Sequence, residues 1–269
     1  MKQLIIGGLV LFLTACSSGE KIYLPRTPDT KKMGGKRFFE TVASWGWRQR
    51  DSLAVKEILA GNIPDFFRKF IPVSTSIKDS TGKLYRVVFY VSPDYISIGS
   101  NKDFARIPLT PMAAQQIADS LNCFLPTKKM VDIIYEQAKV KLAPIPMFAY
   151  RDSSVIMWQH HLMIEGQRQG RKGLIAGIKK DVVISPSMLK DSKQDRVAIY
   201  GWHLLNGTPI QPLYSGHVNW YADYSHGARL VYRKIKINGR EMDYTSVMTH
   251  PIYYKLLSDE DMGLFRYPY

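Results

Sequence analysis

Three histidines able to move protons lie close together in the stretch 197–231, VAIYGWHLLNGTPIQPLYSGHVNWYADYSHGARLV. His203, His217 and His226 share it with Asp223, four tyrosines and two tryptophans. Imidazole titrates near neutrality, so it can act as acid or base at ordinary pH, and a neighbouring carboxylate steadies its charged form. His203, His217, Asp223 and His226 are therefore the expected catalytic set of a hydrolase. The same donor types suit a zinc ion: His217, Asp223 and His226 would supply three ligands and leave one position open for water. Tyr200, Trp202 and Tyr224 would either stack on sugar faces in a substrate groove or fill the core. Lys180 and Arg229 are the expected holders of an anionic substrate group. In Lys179-Lys180-Asp181, strand alternation puts Lys179 and Asp181 on one face and Lys180 on the other. Charges in so apolar a run mark either an exposed edge or a side chain aimed into a site. Cys123 is expected to be a buried structural thiol rather than a nucleophile, since free cysteine is among the most buried residues. His160, His161 and His250 are expected to be solvated or locally satisfied.

Two envelope-enzyme motifs fall on the same residues. Ser215-Gly216-His217 followed by Ala222-Asp223 resembles the S-x-H and A-x-D elements of zinc D-alanyl-D-alanine peptidases. The spacing between His and Asp is one residue shorter, and no H-x-H follows. Ser225-His226-Gly227-Ala228-Arg229-Leu230 is similar to the S-H-G-C-[IV]-R-[LM] signature of L,D-transpeptidases, and 199–203 to their I-H-G element. In that family a nucleophilic cysteine follows the glycine, whereas Ala228 follows it here. The resemblance thus implies site positions for His226 and Arg229 but no thiolate chemistry.

The N-terminus indicates a compartment. Lys2 precedes an apolar run over 4–13 that is too short to remain as a membrane-spanning helix. Leu13-Thr14-Ala15-Cys16 then resembles the bacterial lipobox. That resemblance implies a signal peptide over 1–15 and a lipidated (palmitate-bearing) Cys16 as mature N-terminus. It also implies anchoring in the envelope of a Gram-negative bacterium, on the periplasmic or surface face of the outer membrane. Polar, Pro- and Gly-rich residues up to 35 would form, with Cys16, a flexible tether. Cys123 is the only other cysteine, so no internal disulfide is expected. The formal charge of +14, from 37 basic and 23 acidic residues, calls for anionic surroundings. A lipid anchor argues against nucleic acid and leaves anionic headgroups, peptidoglycan or another anionic glycan as partners.

The elements that would hold these residues can be read in order. Helical spacing runs over 36–70 and is broken before Pro64. A hairpin follows, with strands over 73–77 and 84–91 around Asp79-Ser80-Thr81-Gly82. Thr110-Pro111 and Pro126-Thr127 open two helices, and a third runs over 153–165. From Gly173 strands dominate, over 173–184, 196–200, 210–214 and 228–237, before a closing helix over 244–257 interrupted by Pro251. The expected fold is α+β, a helical N-terminal half packed on a mainly antiparallel sheet from the C-terminal half, forming a single domain over 36–269. Most of the mature chain, from ILAGNIPDF through LPTKKMVD and YGWH to DYSHGARLV, is similar to a family of uncharacterised bacterial secreted proteins. The expected function is a lipid-anchored cell-envelope hydrolase acting on peptidoglycan or another exported polymer. Its rival is a non-catalytic glycan- or peptidoglycan-binding lipoprotein.

Overall fold

The structure, a computed structural model, describes residues 19–21, 23–28, 31–189, 195–261 and 263–269. The expected signal peptide and the lipidation site Cys16 lie outside the described residues. Within the expected tether, Leu24 is buried, the Phe70 amide donates to the Glu20 carbonyl at 2.9 Å, and Arg68 donates to the carbonyls of Leu24 (2.9 Å) and Pro25 (3.0 Å). Residues 19–21 and 23–28 are therefore fastened to the body rather than free. No described helix is long and apolar enough to cross a membrane.

The helical stretch resolves into α1 (Gly35–Thr41) and α2 (Trp47–Leu59), followed by a single 3-10 turn over Asp65–Arg68. Strands β1 (Ile71–Lys78) and β2 (Leu84–Val91) form the expected hairpin. Its turn is locked by Asp79, whose carboxylate accepts from the Thr81 and Lys83 amides. The short hairpin β3 (Ser97–Gly99) and β4 (Phe104–Arg106) leads to α3 (Pro111–Ser120). Strand β5 (Cys123–Phe124) separates it from α4 (Lys128–Gln137). Thr110 caps α3 and Thr127 caps α4 by accepting an amide hydrogen bond, as the Thr-Pro and Pro-Thr pairs predict. Strand β6 (Val140–Lys141) and helix α5 (Ser154–Arg168) follow.

The strand expected over 173–184 is broken into β7 (Ile175–Ala176) and β8 (Lys180–Val182). Gly177 sits between them at φ 99°, and a Cβ there would lie 2.5 Å from the Leu142 carbonyl. Backbone this close and this twisted cannot continue a ladder. Strands β9 (Arg196–His203), β10 (Pro209–Val218), β11 (His226–Gly227), β12 (Val231–Tyr232), β13 (Lys234–Ile237) and β14 (Arg240–Asp243) complete the β part. Helices α6 (Tyr244–Met248) and α7 (Tyr254–Leu257) flank Pro251.

Two sheets matter for position. In the larger, β2 is central and pairs with β1, β12 and β13, which links the first half of the chain to the last. The other runs β10-β9-β8-β11, antiparallel except where β11 lies parallel to β8. The fold is α+β, with helices concentrated early and antiparallel strands late. One continuous apolar core takes side chains from Leu24 to Tyr267.

Candidate functional site

The smaller sheet positions the reactive residues. Strand β8 is internal, and its register sets Lys180 opposite His226 on one side and Gly201 on the other. Lys180 and His226 therefore share a face. Asp181 points to the opposite face, where the Tyr95 hydroxyl donates to it at 2.9 Å. Gly227, beside His226, is required by space: a Cβ there would lie 2.5 Å from the Tyr95 ring and 2.8 Å from Lys179 Cβ. At Gly201 and Trp202 both φ angles are positive, 102° and 56°, and the Lys180 ammonium lies 5.0 Å from the centre of the Trp202 ring.

His217, Asp223 and His226 do come together. The rings of His217 and His226 are 6.1 Å apart, and Tyr221 lies against both, at 5.0 and 5.9 Å. Asp223 is 1 % exposed yet held as an anion, because every approach to it is a donor. Its Oδ1 accepts from the amide (2.8 Å) and hydroxyl (2.6 Å) of Ser225, and its Oδ2 faces Arg151 at 2.8 Å and the Tyr221 hydroxyl at 3.2 Å. Burial opposes ionisation, but His226, Ser225 and Arg151 outweigh it and hold the carboxyl down to about 2. His226 is 1 % exposed, and neither ring nitrogen has a hydrogen-bond partner. Burial, with Lys180 and His217 nearby, lowers it to about 4, so it is neutral at neutral pH. His217 is half-buried and also lowered, again chiefly by burial. Lys180 is lowered by burial as well.

His203 does not join this group. Its Nε2 lies 2.9 Å from Asp132 Oδ1, its ring stacks on Tyr135 at 4.4 Å, and the Tyr200 hydroxyl donates to the same Asp132 oxygen at 2.8 Å. This second constellation lines a cavity of about 700 Å³ between α4 and the turn joining β9 to β10. The expected metal set is corrected too. Among the described residues no group of three His, Cys, Asp or Glu side chains is placed to hold a metal ion. The Asp223 oxygens turn toward Ser225, Arg151 and Tyr221, and the His217 and His226 ring centres stand 6.1 Å apart. Arg229 is not a substrate holder: it is 1 % exposed and donates to the carbonyls of Ser92 (2.8 Å) and Ile175 (2.6 Å) under the Tyr95 ring. Tyr224 is core, with its hydroxyl bound to the Met147 backbone.

Comparison with family models, curated proteins and solved structures finds no match. Function must then be argued from the site itself.

Beneath the site lies a polar layer whose burial the sequence does not predict. Lys179 is 1 % exposed and donates to the Tyr224 carbonyl, with its ammonium 3.1 Å from His160 Nδ1. Burial and Arg106 bring Lys179 down to about 7. His160 and His161, expected to be solvated or locally satisfied, are both buried on α5. Cys123 is buried, and burial pushes its thiol far up. It is expected to resist a thiol reagent at neutral pH for as long as the fold persists and to react fully in denaturant. Rapid labelling of the native chain would show that Cys123 is more accessible than this packing allows.

Proposed function

We propose that this protein is a lipid-anchored cell-envelope hydrolase acting on peptidoglycan or another exported polymer, with His226 as its proton acceptor. The carrying observation is the buried imidazole of His226, neutral at neutral pH and with both nitrogens lacking a protein partner, beside an Asp223 held as an anion there. An unpaired buried polar group costs about 1–3 kcal/mol, a cost that a functional role explains. The half-buried His217 and Tyr221 form the approach, so the substrate meets His217 first. A water placed between the two histidines would lose its proton to His226 as its oxygen bonds to an acyl carbon. Asp223 would steady the imidazolium, and that proton would then pass to the leaving nitrogen or oxygen as the acyl bond breaks. Lys180 and Arg151 would face the negative charge that develops, or a carboxylate of the substrate. His203, Arg229 and Tyr224 take no direct part.

Purified peptidoglycan sacculi incubated with the chain should release soluble muropeptides. His226→Gln should reduce that release by on the order of 100-fold or more while the melting temperature changes little. Equal release by the variant would remove His226 from the chemistry. The recognition-only alternative draws on a separate observation, the large cavity beside His203, Asp132 and Tyr200. Sacculi that retain the wild-type chain without releasing any fragment would favour that alternative.

A further inference from the structure

The described N-terminal segment is fastened to the body at a basic face. Gly19 packs so tightly on the Phe70 carbonyl that a Cβ would lie 2.3 Å from it, and Lys21 forms a backbone bridge with Lys69. Arg68 clamps the segment through the carbonyls of Leu24 and Pro25 and is itself tied to the body through the carbonyl of Gly61. A cavity of about 520 Å³ opens here, lined by Lys21, Tyr23, Arg26, Arg68 and Lys69 with Asp65 as its single acidic residue. Asp65 is already engaged by Arg68 at 3.5 Å. The cations crowd one another, and Arg26 adds to the burial that lowers Arg68. Tyr23 stands among them 96 % exposed, with nothing of the fold covering its ring.

Cys16 precedes Gly19 by three residues, about 10 Å of fully extended chain. An acyl group on Cys16 would thus bring this face, and not a remote one, against the bilayer surface. Cations around an exposed phenol match the headgroup layer, where basic residues meet phosphodiesters and tyrosine rings lie at the interface. We infer that the face around Lys21, Tyr23, Arg26 and Lys69 docks on the phosphodiester headgroups of the anionic membrane that holds the anchor. The inference rests on the lipid-anchor reading. It means that the body is held in one orientation on the membrane instead of swinging on a tether.

The test uses the chain from Cys16 onward made without acyl groups, sedimented with phosphatidylglycerol–phosphatidylethanolamine vesicles or with phosphatidylcholine vesicles. Binding is expected to the anionic vesicles only, and it should weaken steeply toward roughly 0.5 M salt. Each basic group at such a surface contributes about a five-fold change, so Lys21→Gln, Arg26→Gln and Lys69→Gln combined should weaken binding on the order of 100-fold. All three residues are exposed, so an unchanged melting curve shows that the fold is intact. Equal binding by the triple variant, or no preference for anionic vesicles, would overturn the docking face. Complete displacement by millimolar glycerol phosphate would also overturn it, in favour of a small-anion site. Acylation is read separately, from the mass of the full chain made in a Gram-negative host. An unmodified Cys16 with intact vesicle binding removes the anchor and leaves the face standing.

Discussion

Replacing Arg106 with methionine should lower the stability of the fold by about 3–5 kcal/mol, the largest loss expected from a single substitution outside the apolar core. Arg106 is 1 % exposed and holds Asp94 through two bonds, at 2.9 and 2.6 Å. Its remaining reach goes to Glu165 at 2.8 Å and to His161 Nδ1 at 3.3 Å. A buried pair of this kind contributes little compared with apolar residues of the same volume, but removing one member leaves the other charged and unsolvated. Asp94, 1 % exposed at its side chain, would be that orphan. The measurement is the urea midpoint at constant m-value. Arg106→Met combined with Asp94→Asn should recover a large part of the loss, because the neutral amide has no charge to strand. A loss under about 1 kcal/mol, or no recovery in the double variant, would mean that water reaches Asp94 and the pair is not a buried one.

The same network shows how far the sequence could be read. Elements with local signals are legible: Thr110 and Thr127 cap their helices, and Asp79 closes the first hairpin. The break at Gly177 is not, because it depends on the approach of the Leu142 carbonyl from a distant segment. The site follows the same rule. His217, Asp223 and His226 are near neighbours in the chain, so their meeting needs only one loop. His203, 14 residues before His217, lies on the far end of β9 and is drawn to Asp132, 71 residues earlier. Arg151, which pins Asp223, lies on the loop before α5 and carries no local mark of a role. Arg229 sits in a motif-like context, yet its buried guanidinium is spent on two backbone carbonyls and on Asp181, 3.8 Å away. A charged residue inside an apolar run announces burial or function, and only the tertiary partners decide which.

Acid should destabilise this protein well above the pH at which ordinary carboxylates are neutralised. Unfolded histidine takes up a proton near pH 6.5, but three buried histidines refuse it in the fold: His160 is pushed down to about 2, His226 to about 4, and His161 well below its ordinary value. Burial is the main cause in each, with Lys179 and Arg106 adding repulsion at the two helix positions. The sign follows from which state holds more protons. Below pH 6.5 the unfolded chain binds protons that the native chain excludes, so stability falls by about 1.4 kcal/mol per pH unit for each such histidine. Asp181 works in the opposite sense. Raised to about 6 by burial, it takes a proton in the fold that the unfolded carboxylate does not accept until pH 3.8, which offsets about 1.4 kcal/mol per unit in that interval. With His160 and His226 set against Asp181 the net loss is about 1.4 kcal/mol per pH unit between pH 6 and 4, and His161 adds to it, a steady drain on an ordinary domain stability of about 5–15 kcal/mol. Asp223 adds nothing in this window, since its stabilisation is lost only below pH 3.8 on the way to about 2. Guanidinium midpoints at a series of pH values measure the slope, and His160→Gln, which keeps an acceptor for Lys179, should make it shallower by about 1.4 kcal/mol per unit. A midpoint unchanged from neutrality down to pH 4.5 would mean that these imidazoles open to water at little cost. The two acid effects also separate in time. Protonation of His226 as catalyst is immediate, reversible and centred near its lowered value, whereas loss of the fold begins nearer pH 6 and develops at the rate of unfolding. Brief assays at pH 5 should therefore retain activity that prolonged incubation at the same pH destroys.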